Sequence, residues 1–113
     1  MKILVADSNA DMRNLLHEII DETSTQILFV KDGWSALKEC ENWKPDWIIV
    51  DLGVDRIDGF TTAKAIKQMS PEQKIILLLD RDDLSLKNAA RNAGINLCLL
   101  KEDATELKEV FRQ

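Results

Sequence analysis

The sequence predicts a three-layer α/β fold, in which a five-stranded parallel sheet is covered by helices on both faces. Short apolar runs alternate along the 113 residues with segments whose apolar residues recur at helical spacing. The run Trp47-Ile48-Ile49-Val50 shows no polar alternation, as expected for a strand buried on both faces. Strict alternation of strands and helices requires right-handed crossovers, which place helices on both sides of the sheet. The strand order 2-1-3-4-5 suits such an arrangement.

The first half of the chain is predicted to form three strands and three helices. The strands are Lys2 to Ala6, an edge strand from Gln26 to Lys31, and the run from Trp47 to Asp51. Ser8 or Asn9 is expected to cap the first helix, and Asp58 the third. Asp32-Gly33 turns into the second helix and Ser70-Pro71 ends the third. The inward residues are expected to be Met12, Leu15, Leu16, Ile19 and Ile20, then Ala36, Leu37 and Cys40, then Phe60, Ala63 and Ile66.

The second half continues with two further strands and two helices. The strands are Lys74 to Leu79 and Asn96 to Leu100. The fourth helix is expected to end at a left-handed Gly94, and Asp103 to cap the last helix. The inward residues are expected to be Leu86, Ala89, Ala90 and Ala93 in the fourth helix and Ala104, Leu107, Val110 and Phe111 in the fifth. Residues 1–113 are therefore interpreted as one domain.

Composition limits the classes of function. Fifteen Lys and Arg against twenty Asp and Glu give a net charge of −5, which argues against a nucleic-acid surface. No apolar run approaches the roughly 20 residues of a membrane span. The N-terminus leads directly into a strand with no signal-peptide pattern, so a cytoplasmic location is expected.

Charged residues follow several of the predicted strands. Asp7, Asp51 and Lys101 each end a strand, and Asp80 follows Leu79. The carboxyl ends of parallel strands share one edge of the sheet, where open α/β sheets bind ligands. Two carboxylates and one ammonium there can hold an oxygen-ligated divalent cation and an anionic substrate. The less specific interpretation is that the acids are helix caps or solvated loop residues, and that the lysine forms a surface salt bridge.

The chain resembles the receiver domain of bacterial response regulators over essentially its full length. The matching segments are ILVAD followed by Arg13, KDGWSAL, KPDWIIVDLGVDRIDGF and AARNAGINLCLLK. The resemblance implies a flavodoxin-like fold and a phosphoryl group accepted on Asp51 from a histidine kinase. It implies that Asp7, Asp51 and the backbone carbonyl of Gly53 bind Mg²⁺, and that Lys101 compensates negative charge at the phosphoryl group.

The sequence also departs from the family pattern. Ser8 replaces the second acid after the first strand, so Mg²⁺ binding is expected to be weak unless Asp80 or Asp55 compensates. Glu102 replaces a proline, which predicts a trans peptide, a rearranged loop and a Lys101 directed less at Asp51. Two further family positions are changed: the hydroxyl residue of the fourth strand is Leu79 and the aromatic of the fifth is Cys98.

Three functions remain open from the sequence. The first is a phosphoryl-accepting receiver, whose partners are a histidine kinase or phosphotransfer protein and an output domain or partner protein. The second is a pseudo-receiver that binds partners independently of phosphorylation. The third is a small enzyme on the same fold, which is disfavoured because neither a phosphate-binding loop nor a catalytic triad is found. A non-enzymatic receiver is the favoured interpretation, without membrane or nucleic-acid binding, and a homodimer is left open.

Overall fold

The computed structural model describes residues 1–20, 25–54 and 57–112. Its five strands form one parallel sheet of order β2-β1-β3-β4-β5. This confirms the predicted order, with the less apolar β2 at one edge and β5 at the other. The strands are β1 (Lys2–Ala6), β2 (Gln26–Val30), β3 (Trp47–Asp51), β4 (Lys74–Leu79) and β5 (Leu97–Leu100).

Five α-helices and one 3₁₀ helix connect and follow the strands. Most of them begin at a side chain that accepts hydrogen bonds from the first turn. Asn9 accepts from the amides of Asp11 and Met12, and Asp58 accepts from Thr61, so both predicted caps are confirmed. The helices are α1 (Ala10–Ile20), α2 (Gly33–Trp43), α3 (Gly59–Met69), α4 (Leu84–Asn92), a 3₁₀ helix (Lys101–Glu106) and α5 (Leu107–Val110).

The sheet separates two apolar layers. Leu4, Ile48 and Leu77 point to the face covered by α2, α3 and α4. Their alternate neighbours, including Ile49 and Leu78, point to the face covered by α1 and α5. Side chains alternate across a strand, so a strand that contributes to both layers must be apolar at consecutive positions. The apolar run of β3 is unbroken because its residues alternate between the two layers.

Two predictions of the helices were wrong. Leu15 is 40% exposed, because the adjacent Leu16 already faces the sheet and lies about 100° away around the helix. Asp103 does not cap the last helix: it lies inside the helical segment that starts at Lys101, with φ −102° and ψ 18°. Helical structure begins directly at the end of β5, so Asp103 lies within the first turn and not before it, where a capping residue would stand. Gly94, in contrast, has the predicted positive φ, 88°.

A close approach between α3 and β3 requires Gly59. A Cβ added at this residue would lie 2.2 Å from the carbonyl oxygen of Asp51. The amide of Gly59 donates to the carbonyl of Leu52 over 2.9 Å. The start of α3 therefore packs directly against the residues that follow β3 and fixes the backbone at Asp51. Among the helices of the described ranges, none has the length and apolar character needed to cross a membrane.

Candidate functional site

The strand ends bring two buried carboxylates to one edge of the sheet. Asp7 follows β1 and is fully buried, and Asp51 ends β3 with 4% of its surface exposed. The two strands are direct neighbours, with Ala6 paired to Val50 in register. The two acids consequently flank the point between the first and third strands, where a parallel sheet of this order opens a crevice.

Lys101 extends from the end of β5 into this crevice. Its Nζ lies 2.6 Å from Oδ1 of Asp51 and 2.9 Å from Oδ1 of Asp80. The expectation that Lys101 is directed less at Asp51 was wrong. The predicted loop rearrangement does not displace the lysine, because the 3₁₀ helix starts at Lys101 itself and leaves its side chain at the sheet edge. The Lys101-Glu102 peptide is trans as predicted, since the described residues contain no cis peptide bond.

The hydrogen bonds of the two acids are incomplete. Oδ1 of Asp7 accepts from the amide of Asn9 over 2.8 Å, whereas its buried Oδ2 has no hydrogen-bond partner among the described residues. Oδ1 of Asp51 contacts the Lys101 ammonium without directed hydrogen-bond geometry, so that contact is an ion pair. An unpartnered buried carboxylate oxygen is costly unless a ligand completes it. The Asp7 oxygen is thus a candidate ligand position.

Burial and charge shift the pKa values in the site. Burial raises the pKa of Asp7, and the nearby charge of Asp51 adds to this, against the lowering effects of the Asn9 amide, Lys101 and Arg13. Burial acts to lower the pKa of Lys101, but its contacts with Asp51 and Asp80 outweigh this effect and raise that pKa. Lys101 is therefore a permanent cation at neutral pH.

The oxygen atoms near Asp7 and Asp51 are of the type that a hard cation prefers. Oδ2 of Asp7 is available, and Gly53 lies beside the Asp51 carboxylate, since a Cβ at Gly53 would be 3.4 Å from Oδ2 of Asp51. Oxygen donors of this kind are what Mg²⁺ prefers. Within the described ranges, however, no three acidic, imidazole or thiol side chains converge as a metal cluster. Asp80 is engaged by Lys101, and Asp55 lies outside the described residues.

Leu79 of β4 and Cys98 of β5, the two further positions at which the sequence departs from the family pattern, both pack against the core. Leu79 ends β4, is fully buried, and belongs to the apolar layer under α2, α3 and α4. The half-buried Cys98 packs against the same layer, and Leu79 pairs with Leu100 in register. Leu79 has no side-chain hydrogen-bond donor to direct at Asp51.

Asp80 is the site residue that the sequence did not assign. The sequence suggests only a compensating metal role for Asp80, whereas the structure pairs it with Lys101. Its position directly after β4 could have indicated a place in the site, because β4 ends at the same edge of the sheet as β1, β3 and β5. Together with Asp82 and Asp83, however, Asp80 has the appearance in sequence of a charged loop that starts a helix.

Comparison with known proteins relates the whole chain to one family. The sequence profile described as response regulator receiver domain matches residues 3–112. The chain is 30% identical over 82 residues, 73% of its length, to the alkaline phosphatase synthesis transcriptional regulatory protein PhoP of Bacillus subtilis, covering 34% of that protein. It is 27% identical over 106 residues, 94% of its length, to the response regulator MprA of Mycobacterium sp. (strain KMS), covering 46% of it. The chain thus spans between about a third and a half of these relatives.

A solved structure shows the same similarity. The response regulator domain of Thermotoga maritima CheB superposes with a TM-score of 0.87 at 26% identity, over 100% of this chain and 94% of that one.

Proposed function

The chain belongs to the family of response regulator receiver domains, and on this premise we propose that Asp51 accepts a phosphoryl group. The domain is a signal-transduction receiver of two-component systems, and receivers are generally signalling modules rather than enzymes. The observation that carries the proposal is the 2.6 Å ion pair between Lys101 and the 5%-exposed Asp51 side chain. A buried carboxylate beside a fixed cation can hold the charge that develops when an anionic group reacts there.

In the proposed reaction, a carboxylate oxygen of Asp51 forms a bond to phosphorus while the bond from phosphorus to the donor nitrogen of a phosphohistidine breaks. The released imidazole takes a proton from solvent. Lys101 turns from the Asp51 carboxylate towards the phosphoryl oxygens and compensates their charge.

Receiver domains generally bind Mg²⁺ at the phosphorylation site. In this chain Asp7, Asp51 and the carbonyl of Gly53 would hold the ion, and its charge would neutralise the phosphoryl oxygens. The unpartnered Oδ2 of Asp7 supports this assignment. With Ser8 in place of an acid, the ion would be held by fewer anionic oxygens and therefore weakly.

The response regulator relatives imply a histidine kinase as donor and an output domain as recipient of the signal. The curated relatives are about two to three times longer than the part this chain matches. The kinase, the output partner and the cytoplasmic location expected from the sequence are part of the same proposal.

Mass spectrometry tests the phosphoacceptor directly. The chain is incubated with Mg²⁺ and acetyl phosphate, and we expect a gain of one phosphoryl mass that is acid-stable, labile to hydroxylamine and mapped to Asp51. Asp51→Asn should abolish the label. Asp46→Asn, which removes an exposed acid at the opposite end of β3, should retain it. An unlabelled wild-type chain would favour the pseudo-receiver, which binds its partners without phosphorylation.

A further inference from the structure

Lys101 is shared between two carboxylates of different burial. Its ammonium lies 2.6 Å from Asp51, whose side chain is 5% exposed, and 2.9 Å from Asp80, whose side chain is 65% exposed. Asp51 belongs to the interior of the site and Asp80 to its rim. A single cation therefore connects the proposed phosphoacceptor to a surface acid.

The neighbouring acids have other partners. Asp82 forms an ion pair with Lys87 over 2.5 Å. Asp83 accepts a hydrogen bond from the amide of Leu86 over 3.1 Å and caps α4. Of the acids in the segment from Asp80 to Asp83, Asp80 alone contacts the site. Its pairing with Lys101 is thus not a general property of a charged loop.

We propose that Asp80 is a positioning residue that holds the Lys101 ammonium at the rim of the site and opposes its transfer to an anionic group bound on Asp51. The inference rests on the proposed phosphoacceptor function and concerns the regulation of that site. Asp80 would set how readily the site accepts and retains a phosphoryl group.

Asp80 and a phosphoryl group on Asp51 would compete for the same Lys101 ammonium. An ammonium has three N–H donors, and in the free chain Asp51 and Asp80 draw it in two directions. A phosphoryl group on Asp51 adds anionic oxygens that compete for the same donors. When Lys101 turns towards them, the Asp80 carboxylate loses its partner and remains as a like charge close to the phosphoryl group. Asp80 consequently favours the unmodified site.

The exposure of Asp80 limits the size of the effect. Water screens a carboxylate that is 65% exposed, so its pairing is far weaker than that of a buried pair. Removing its charge should strengthen anion binding by about two- to fivefold, the range expected for an ion pair with one exposed partner. The effect should shrink as salt concentration rises, which a purely structural role of Asp80 would not produce.

Calorimetric titration with beryllofluoride and Mg²⁺ tests the proposal in the full chain. Asp80→Asn should bind beryllofluoride about two- to fivefold more tightly than wild type at low salt. Asp80→Glu, which keeps the charge, should stay close to wild type. The matched control is Asp82→Asn, because Asp82 lies on the same segment, is similarly exposed at 70%, and pairs with Lys87 instead. This control should leave the affinity unchanged.

The possible outcomes separate the two proposals. Equal affinity in wild type and Asp80→Asn, weaker affinity in Asp80→Asn, or an equal gain in Asp82→Asn would overturn the role of Asp80 while leaving Asp51 as the acceptor. Absence of beryllofluoride binding in all four chains, together with an unlabelled Asp51, would overturn the phosphoacceptor function and the role of Asp80 with it.

Discussion

The two sides of the sheet edge differ in chemistry. The accepting side, which we define as Asp7, Asp51 and Lys101, places two buried carboxylates and one half-buried ammonium at the ends of β1, β3 and β5. The transmitting side, which we define as Leu79 and Cys98, offers only an apolar side chain and a thiol that pack into the core. The first side has what is needed to hold an anionic group. The second lacks a hydroxyl that could respond to one.

This difference separates receiving a signal from transmitting it. A bound group shifts a conformational equilibrium only through its differential interaction with the two states. A nearly complete switch needs about 5.5 kcal/mol of such a difference. Leu79 cannot donate a hydrogen bond, so we expect the remaining coupling to pass through Lys101, the bound metal and backbone amides. We therefore expect chemistry at Asp51 to be largely independent of the surface formed by α4, β5 and α5.

The largest expected effect concerns the accepting side. Lys101→Met removes the cation in contact with Asp51 and leaves a buried carboxylate without compensation, so labelling by acetyl phosphate should fall about a hundredfold. Lys108→Met, which removes an exposed lysine of α5, should label at the wild-type rate. The measurement is the initial rate of phosphoryl mass gain. An unchanged rate in Lys101→Met would remove this lysine from the accepting side.

The next effect concerns the transmitting side. Leu79→Thr restores a hydroxyl but removes buried apolar volume, so the free energy of unfolding should fall by about 2–4 kcal/mol in urea titrations. In wild type, beryllofluoride and Mg²⁺ should change amide shifts only near the pocket. In Leu79→Thr the changes should extend to the surface around Lys87, Arg91, Cys98 and Glu106, because the hydroxyl can follow the bound anion.

Leu77→Thr is the matched control for this experiment. Leu77 is equally buried, lies on the same strand and packs in the same layer, but two residues further from the site. Leu77→Thr should lose a similar free energy of unfolding, but its amide-shift changes on adding beryllofluoride should stay near the pocket. Large concerted changes across that surface in wild type would contradict the separation of the two sides.

The sequence predicted the strands and the two buried acids of the site correctly, but not the contacts of Lys101 and Asp80. Unbroken apolar runs predicted β1, β3 and β4, because strand formation here depends on the local sequence pattern. The parallel connection of these strands then predicted that Asp7 and Asp51 lie at one edge of the sheet. The direction of Lys101 depends on where helical structure restarts after β5, which periodicity does not determine. The partner of Asp80 depends on side-chain geometry across two strands. Leu15 lies at the border of its helix stripe, where spacing alone does not distinguish buried from exposed.

A smaller effect concerns the buried charge of Asp7. The pKa of Asp7 is raised above its ordinary value of 3.8, chiefly by burial, so the folded chain holds this proton more tightly than the unfolded chain. The stabilisation that the protonated Asp7 contributes is fully present below pH 3.8, and it is lost as pH rises through the raised pKa of the folded chain. Asp7→Asn should therefore be more stable than wild type at neutral pH, by about 1–3 kcal/mol.

The pH dependence distinguishes this cause from a general change in packing. The stability difference between Asp7→Asn and wild type, measured by urea titration, should shrink as pH falls towards 3.8. Asp11→Asn, which neutralises an exposed acid in the first turn of α1, should change stability by less than about 1 kcal/mol and without the same dependence on burial. A difference that is constant with pH would mean that the ionisation of Asp7 is not its source.

The smallest expected effect is a gain in Mg²⁺ affinity when a further acid is added to the accepting side. Ser8 is half-buried beside Asp7, and Ser8→Asp supplies the anionic oxygen that a hard cation lacks here, so Mg²⁺ affinity should rise about tenfold. Without metal the added carboxylate repels Asp7 and Asp51, so the variant should be less stable than wild type and recover on adding Mg²⁺. Ser8→Asn adds similar volume without charge and should show neither change. Equal Mg²⁺ affinity in the Asp and Asn variants would show that the cation is held away from Asp7, and the positive charge near Asp7 would then come from side chains, Lys101 and Arg13 among them.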